Sequence, residues 1–115
     1  MQITIYHNPR CSKSRKTLEL IQSRGIEPEI IEYLKTPPDQ STLKKILSML
    51  DMEPRQLMRR NESTYTENNL DDPTLNNDDL IAAMLSDPIL IERPIVVGKG
   101  KAVIGRPPEN VLEIL

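Results

Sequence analysis

At 115 residues with a formal net charge of −2 and both signs interspersed, the chain can bury one core but carries no basic stripe to track a nucleic-acid backbone. Its aromatic residues are three tyrosines, with no Phe or Trp, so bases have little to stack on and nucleic acid is not an expected partner. One cysteine and one histidine exclude a disulfide framework and a zinc cluster, and no signal-type segment or long apolar run is present, so a cytoplasmic domain without metal or membrane span is expected.

Ile3 and Ile5, alternating with Thr4 and Tyr6, predict a short strand that Asn8-Pro9 breaks, and a helical pattern begins after Ser12. Thr17, Leu18, Leu20 and Ile21 give that helix, over about 13–24, an apolar face, and Gly25 supplies its stop. Pro28 opens a second β-rich run through Ile30, Ile31, Tyr33 and Leu34, which Thr36-Pro37-Pro38 ends. Two strands and the intervening helix make a βαβ unit, parallel with a right-handed crossover.

Asp39 is a natural N-cap for a helix with Leu43, Ile46, Leu47 and Leu50 on one face. Pro54 suits the first turn of a shorter helix that carries Leu57 and Met58 inward, and the polar stretch 61–69 holds a short helix around Tyr65. Asn76 or Asn77 caps a further helix, with Asp78 and Asp79 in its first turn, Leu80, Ile81, Met84 and Leu85 on its apolar face, and Asp87-Pro88 at its end. Ile95-Val96-Val97 and Lys101-Ala102-Val103-Ile104, joined by Gly98-Lys99-Gly100, predict a β-hairpin. Gly105-Arg106-Pro107-Pro108 then leads into a last helix with Val111, Leu112 and Leu115 on one face. A βαβ half followed by a ββα half is the connectivity of the thioredoxin fold. The expectation is an α/β protein with a mixed four-stranded sheet, one domain over 1–115, with a helical insertion over about 38–91 between the halves.

Cys11 falls in the strand-to-helix loop, close to a helix N-terminus where free N–H groups and the helix dipole favour an anion. Arg10, Lys13 and Arg15 add positive charge, and the thiolate is the nucleophilic form. A lone cysteine can instead be a small buried hydrophobe, but its polar neighbours and Pro9 argue for a reachable one. Three residues on stands Ser14, so no Cys-x-x-Cys disulfide can form, and a redox cycle at Cys11 needs an external thiol. Arg59, Arg93 and Arg106 each lie at an element boundary, where rigid scaffolds place binding groups. Their planar forks suit a tetrahedral oxyanion. Spacing alone leaves open whether they converge or are three solvated surface charges.

The segments Ile5–Arg15, Leu57-Met58-Arg59-Arg60-Asn61, Pro88–Val97 and Gly105-Arg106-Pro107 together resemble, in register over essentially the whole chain, the glutaredoxin-coupled arsenate reductase family and its short YfgD-like branch. That resemblance implies Cys11 as the nucleophile toward arsenate, Arg93 and Arg106 as oxyanion binders, and Arg59 as a third group positioning the arsenic intermediate. It implies that His7, Asn8 and Ser14 support the thiolate and that Arg93-Pro94 is a cis junction. It further implies that glutathione is a co-substrate, that glutaredoxin resolves the resulting mixed disulfide, and that no cofactor is bound. Longer members of the family extend beyond the last helix, whereas this sequence ends at Leu115, and Asp51 stands where relatives have glycine. Two alternatives stand beside it: an Spx-like regulator that binds RNA polymerase, which shares the resemblance but whose usual Cys-x-x-Cys switch Ser14 precludes, and a general glutathione-dependent thiol transferase that never uses arsenate.

Overall fold

The computed structural model describes residues 2–115. The chain divides into two compact units, one running up to Thr36 and resuming over Arg93–Leu115, the other Pro37–Glu92.

The first unit is built on a mixed four-stranded sheet. Strand β1 (Thr4–His7) leads through a loop into helix α1 (Ser12–Ser23), which returns the chain to β2 (Glu29–Glu32). After the second unit come β3 (Ile95–Gly98) and β4 (Lys101–Ile104), then a 3-10 helix, Pro108–Ile114. The strand order is β2-β1-β3-β4. β1 pairs with β2 in parallel, as the crossover helix between them requires, and with β3 antiparallel. β3 and β4 form the expected hairpin. Its turn is the two residues Lys99 and Gly100, both at positive φ (55° and 72°), so Gly98 belongs to β3 rather than to the turn.

β1 is central, and Ile5, Tyr6 and His7 along it are all buried. Ile5 pairs across the sheet with Val96, both at 0% exposure, and Ile3, Ile21, Val111 and Ile114 close the cluster around them. Each such side chain contributes about 1.5–3 kcal/mol of burial, so an alanine at Ile5 would remove a keystone of this unit.

Two elements differ from the periodicity reading. The strand expected through Leu34 stops at Glu32, whose carbonyl accepts from the N–H of both Lys35 and Thr36 and so coils Tyr33 and Leu34 into a turn. Tyr33 is buried all the same, which is why its apolar signal read as strand. The last helix is 3-10, with about three residues per turn, so its buried residues are Pro108, Val111 and Ile114, each three apart, while Leu112 faces solvent. The face Val111, Leu112 and Leu115 assumed a wider turn.

The second unit is helical: α2 (Gln40–Leu50), α3 (Pro54–Leu57), α4 (Ser63–Glu67), α5 (Asn77–Ser86) and a 3-10 turn, Pro88–Leu90. Asp39 caps α2 by accepting from the Thr42 N–H at 2.8 Å, and this bond, with the Ser41 hydroxyl, holds its carboxyl below the usual range. Asp51 ends α2 in the left-handed conformation at φ 55°, ψ 46°. Asn76, rather than Asn77, caps α5, exchanging bonds with Asp79 in a capping box. α5 packs on α2 and α3. Arg55 clamps the connecting loop, its Nη2 donating to the carbonyls of Leu70 and Asp72 at 3.0 Å each. Among the described residues no helix is long and apolar enough to cross a membrane.

Candidate active site

The β1–α1 loop is fixed by side chains that bond to the main chain. Asn8 Oδ1 accepts from the Arg10 N–H at 3.0 Å, and the Asn8 carbonyl accepts from the Cys11 N–H at 3.0 Å, closing a tight turn that Pro9 occupies. Arg15 Nη1 reaches back to the Pro9 carbonyl at 2.9 Å. Cys11 is thereby set as the N-cap of α1, in extended conformation (φ −98°, ψ 123°), half-buried and with a free thiol. Its side chain makes no capping bond to the first turn. The helix start therefore keeps its positive end directed at the residue that bears the sulfur.

Beneath the loop lies Ser14, at 0% exposure. Its Oγ accepts from the Asn8 N–H at 3.1 Å and sits 2.7 Å from His7 Nδ1. One hydroxyl can serve both partners, because its oxygen carries two acceptor lone pairs besides its single hydrogen. Burial pushes the His7 pKa below its ordinary value of 6.5, the Glu32 carboxylate pulls it up in part, and Arg15 lowers it further. His7, Asn8 and Ser14 thus form one bonded group behind Cys11.

The strand register places the distant arginines. Tyr6 at the end of β1 pairs with Ile95 at the start of β3, and Ile95 pairs with Ile104 at the end of β4. Arg93 and Arg106, which flank those residues, therefore leave the sheet at the same end as His7 and the Cys11 loop. Their segments are joined directly: the Gly105 N–H donates to the Pro94 carbonyl at 2.9 Å. Helix α1 packs onto that junction through Thr17, whose hydroxyl donates to the Lys13 carbonyl at 2.8 Å and lies 3.5 Å from the Gly105 carbonyl. Both Arg93-Pro94 and Arg106-Pro107 are cis peptides, the second unanticipated. Arg93 is half-buried, with Nε and Nη1 sealed from solvent, whereas Arg106 is exposed.

Arg59 belongs to the second unit. The pairing of Met58 with Ile91, and bonds from the Arg59 N–H to Leu90 and from the Glu92 N–H to Leu57, tie its segment to the chain just before Arg93. Its guanidinium is held by two carboxylates, Glu62 on Nη1 at 2.5 Å and Glu92 on Nε at 3.8 Å. Sequence reasoning passed over Glu62, although its i,i+3 spacing from Arg59 is an ion-pair signal. It also took Thr17 only as part of an apolar face; a hydroxyl at a position where Val would pack as well was the available clue.

A model of the ArsC family matches residues 6–114. The chain belongs to the ArsC family. The Escherichia coli K12 protein YfgD is 56% identical over 115 residues, covering 99% of this chain and 97% of its own. A protein of Neisseria meningitidis serogroup A named arsenate reductase is 50% identical, covering 99% and 98%. The solved structure of an arsenate reductase from Vibrio cholerae superposes with a TM-score of 0.97 at 53% identity, covering 100% of this chain and 98% of that one. Such a likeness carries the thioredoxin-like fold of these ArsC structures over to this chain along its whole length. Among the described residues no cluster of three or more His, Cys, Asp or Glu side chains could hold a metal ion.

Proposed function

We propose that this protein reduces arsenate to arsenite with electrons from external thiols, Cys11 being the nucleophile. The Cys11 thiolate attacks arsenic and displaces one oxygen as water, giving an S–As(V) bond. A glutathione thiolate then attacks the Cys11 sulfur; the S–As electron pair passes to arsenic, which leaves as arsenite, As(III), while Cys11 and glutathione become a mixed disulfide. A glutaredoxin thiol breaks that disulfide and returns Cys11 to the thiolate. Arg93 and Arg106 offer planar donors to the oxyanion, Arg59 positions the arsenic intermediate, and His7, Asn8 and Ser14 hold the loop.

The observation that carries this reading is the register that brings the Arg93 and Arg106 segments to the sheet end from which Cys11 enters α1. Guanidinium groups at that end would offset the repulsion between an anionic sulfur and an anionic substrate. The test is an assay of the purified protein with arsenate, glutathione and glutaredoxin, with mass spectrometry of Cys11 during turnover. Arsenite release and a glutathione adduct on Cys11 are expected, and Cys11→Ser should abolish both. Turnover of mixed disulfides without arsenate reduction would instead favour a general thiol transferase.

A further inference from the structure

The proposed cycle brings two different molecules to one sulfur, and arginines for an oxyanion leave the thiol without a seat. Beside the Cys11 loop lies a groove of about 560 Å³, walled by His7 and the Asn8-Pro9-Arg10 turn on one side and by Glu32, Leu34 and Lys35 on the other. Arg93 and Arg106 are not among its walls. Its size falls within the range of small-molecule sites, roughly 300–1,000 Å³. Glu32 ends β2, the outermost strand on that side of the sheet, and Leu34 just beyond it is exposed.

We propose that this groove seats the thiol co-substrate, a small thiol peptide bearing two carboxylates and one ammonium, the charge pattern of glutathione. The inference rests on the thiol-dependent reading above. Four observations lead to it. The Asn8-Pro9-Arg10 wall runs directly into Cys11, whose N–H is tied to the Asn8 carbonyl, so an occupant lies next to the residue it must reach. The walls offer two cations, Arg10 and Lys35, and one carboxylate, Glu32, the complement of two carboxylates and an ammonium. Lys35 and Glu32 lie 3.6 Å apart with side chains 79% and 44% exposed. A pair that open is weak and re-pairs with a ligand at little cost. Leu34 and Pro9 add apolar lining for the methylenes of the thiol's side chain. Ser14, buried and bonded, leaves the sulfur that must attack Cys11 to arrive from outside.

The test uses S-methylglutathione, which keeps every charge and cannot form a disulfide, titrated into the isotopically labelled protein without arsenate. Amide shifts confined to His7, Asn8, Arg10 and residues 32–35 are expected, and shifts mapping elsewhere, or none, overturn the proposal. In turnover assays Lys35→Glu should raise the KM for glutathione about tenfold and leave the KM for arsenate unchanged. An unchanged glutathione KM in an active enzyme sinks the groove while the arsenate reading stands. Binding of S-methylglutathione in the groove of a protein that does not reduce arsenate would keep the groove and discard the reading.

Discussion

Gly105→Ala is the substitution that the geometry around the arginine loops judges most sharply. A Cβ at Gly105 would lie 2.5 Å from Thr17 Oγ1, 2.8 Å from Pro94 Cγ and 3.1 Å from Thr17 Cγ2, against ordinary contacts of about 3.5–4.0 Å. Neither neighbour is the free end of a flexible chain. Thr17 sits on α1 with its hydroxyl bonded to the Lys13 carbonyl, and Pro94 is a ring whose carbonyl holds the Gly105 N–H. Overpacking of this kind costs about 1–3 kcal/mol. The φ of Gly105 is not positive, so alanine also narrows the unfolded ensemble and returns about 0.4–1 kcal/mol. The net loss should be about 1–2 kcal/mol.

Thr17→Ala removes both clashing atoms on the helix and costs about 1 kcal/mol for its buried hydrogen bond. In the double variant the two losses should overlap, with a coupling of about 1 kcal/mol or more. Urea unfolding of the four proteins measures this, provided the slope m is unchanged. Because the loop carries Arg106 beside Pro94, a displacement of about 1 Å should also lower kcat/KM for arsenate by about tenfold or more. Stability equal to or above that of the parent, or additive losses in the double variant, would refute the argument.

Three further outcomes follow from single contacts. His7 is buried and its pKa lowered, so the unfolded chain binds a proton that the native one resists; stability should be full above the ordinary histidine value of 6.5 and fall as pH drops below it. Unfolding followed from pH 8 to 5 in the parent and in His7→Gln checks this, and an identical pH profile in the variant would assign the loss to other groups. Glu62→Gln removes the nearer of two carboxylates competing for Arg59 while Glu92 still orients Nε, so kcat/KM for arsenate should rise by about threefold; a lower kcat/KM would show that Glu62 supports the role proposed for Arg59 instead. Asp51→Gly relieves a left-handed residue at the end of α2 and should stabilise by about 0.5–1 kcal/mol, read as a higher urea midpoint.

What the sequence made legible is what obeys a short period or a local signal. Alternation gave β1, Asp39 and Pro54 marked helix starts, and the order of strands and helices gave the fold. Tyr33 misled because an aromatic residue buries equally well in a turn, and Leu112 misled because three and 3.6 residues per turn diverge over a single short helix. Contacts that link remote positions left no trace in any local window. Thr17 meets Gly105 across 88 residues, and the gathering of Arg93 and Arg106 depends on strand register, which flips with a shift of one residue.

Ser14 joins the scaffold to the chemistry. Read as a missing second cysteine, it only says that Cys11 has no partner within the chain. In the fold it is the bonded centre of the loop, with its oxygen 2.7 Å from His7 Nδ1 and 3.1 Å from the Asn8 nitrogen. Those separations suit a hydroxyl; a thiol is a larger atom and a weaker donor and acceptor. Buried at 0% exposure, a sulfur there would have to break both bonds to reach its neighbour. The residue that fixes the turn holding Cys11 at the helix tip is therefore the same one that denies it an internal disulfide. Under the proposed cycle the reducing thiol would then have to come from outside the chain, toward a Cys11 that is half-open and continuous with the Asn8-Pro9-Arg10 wall of the groove.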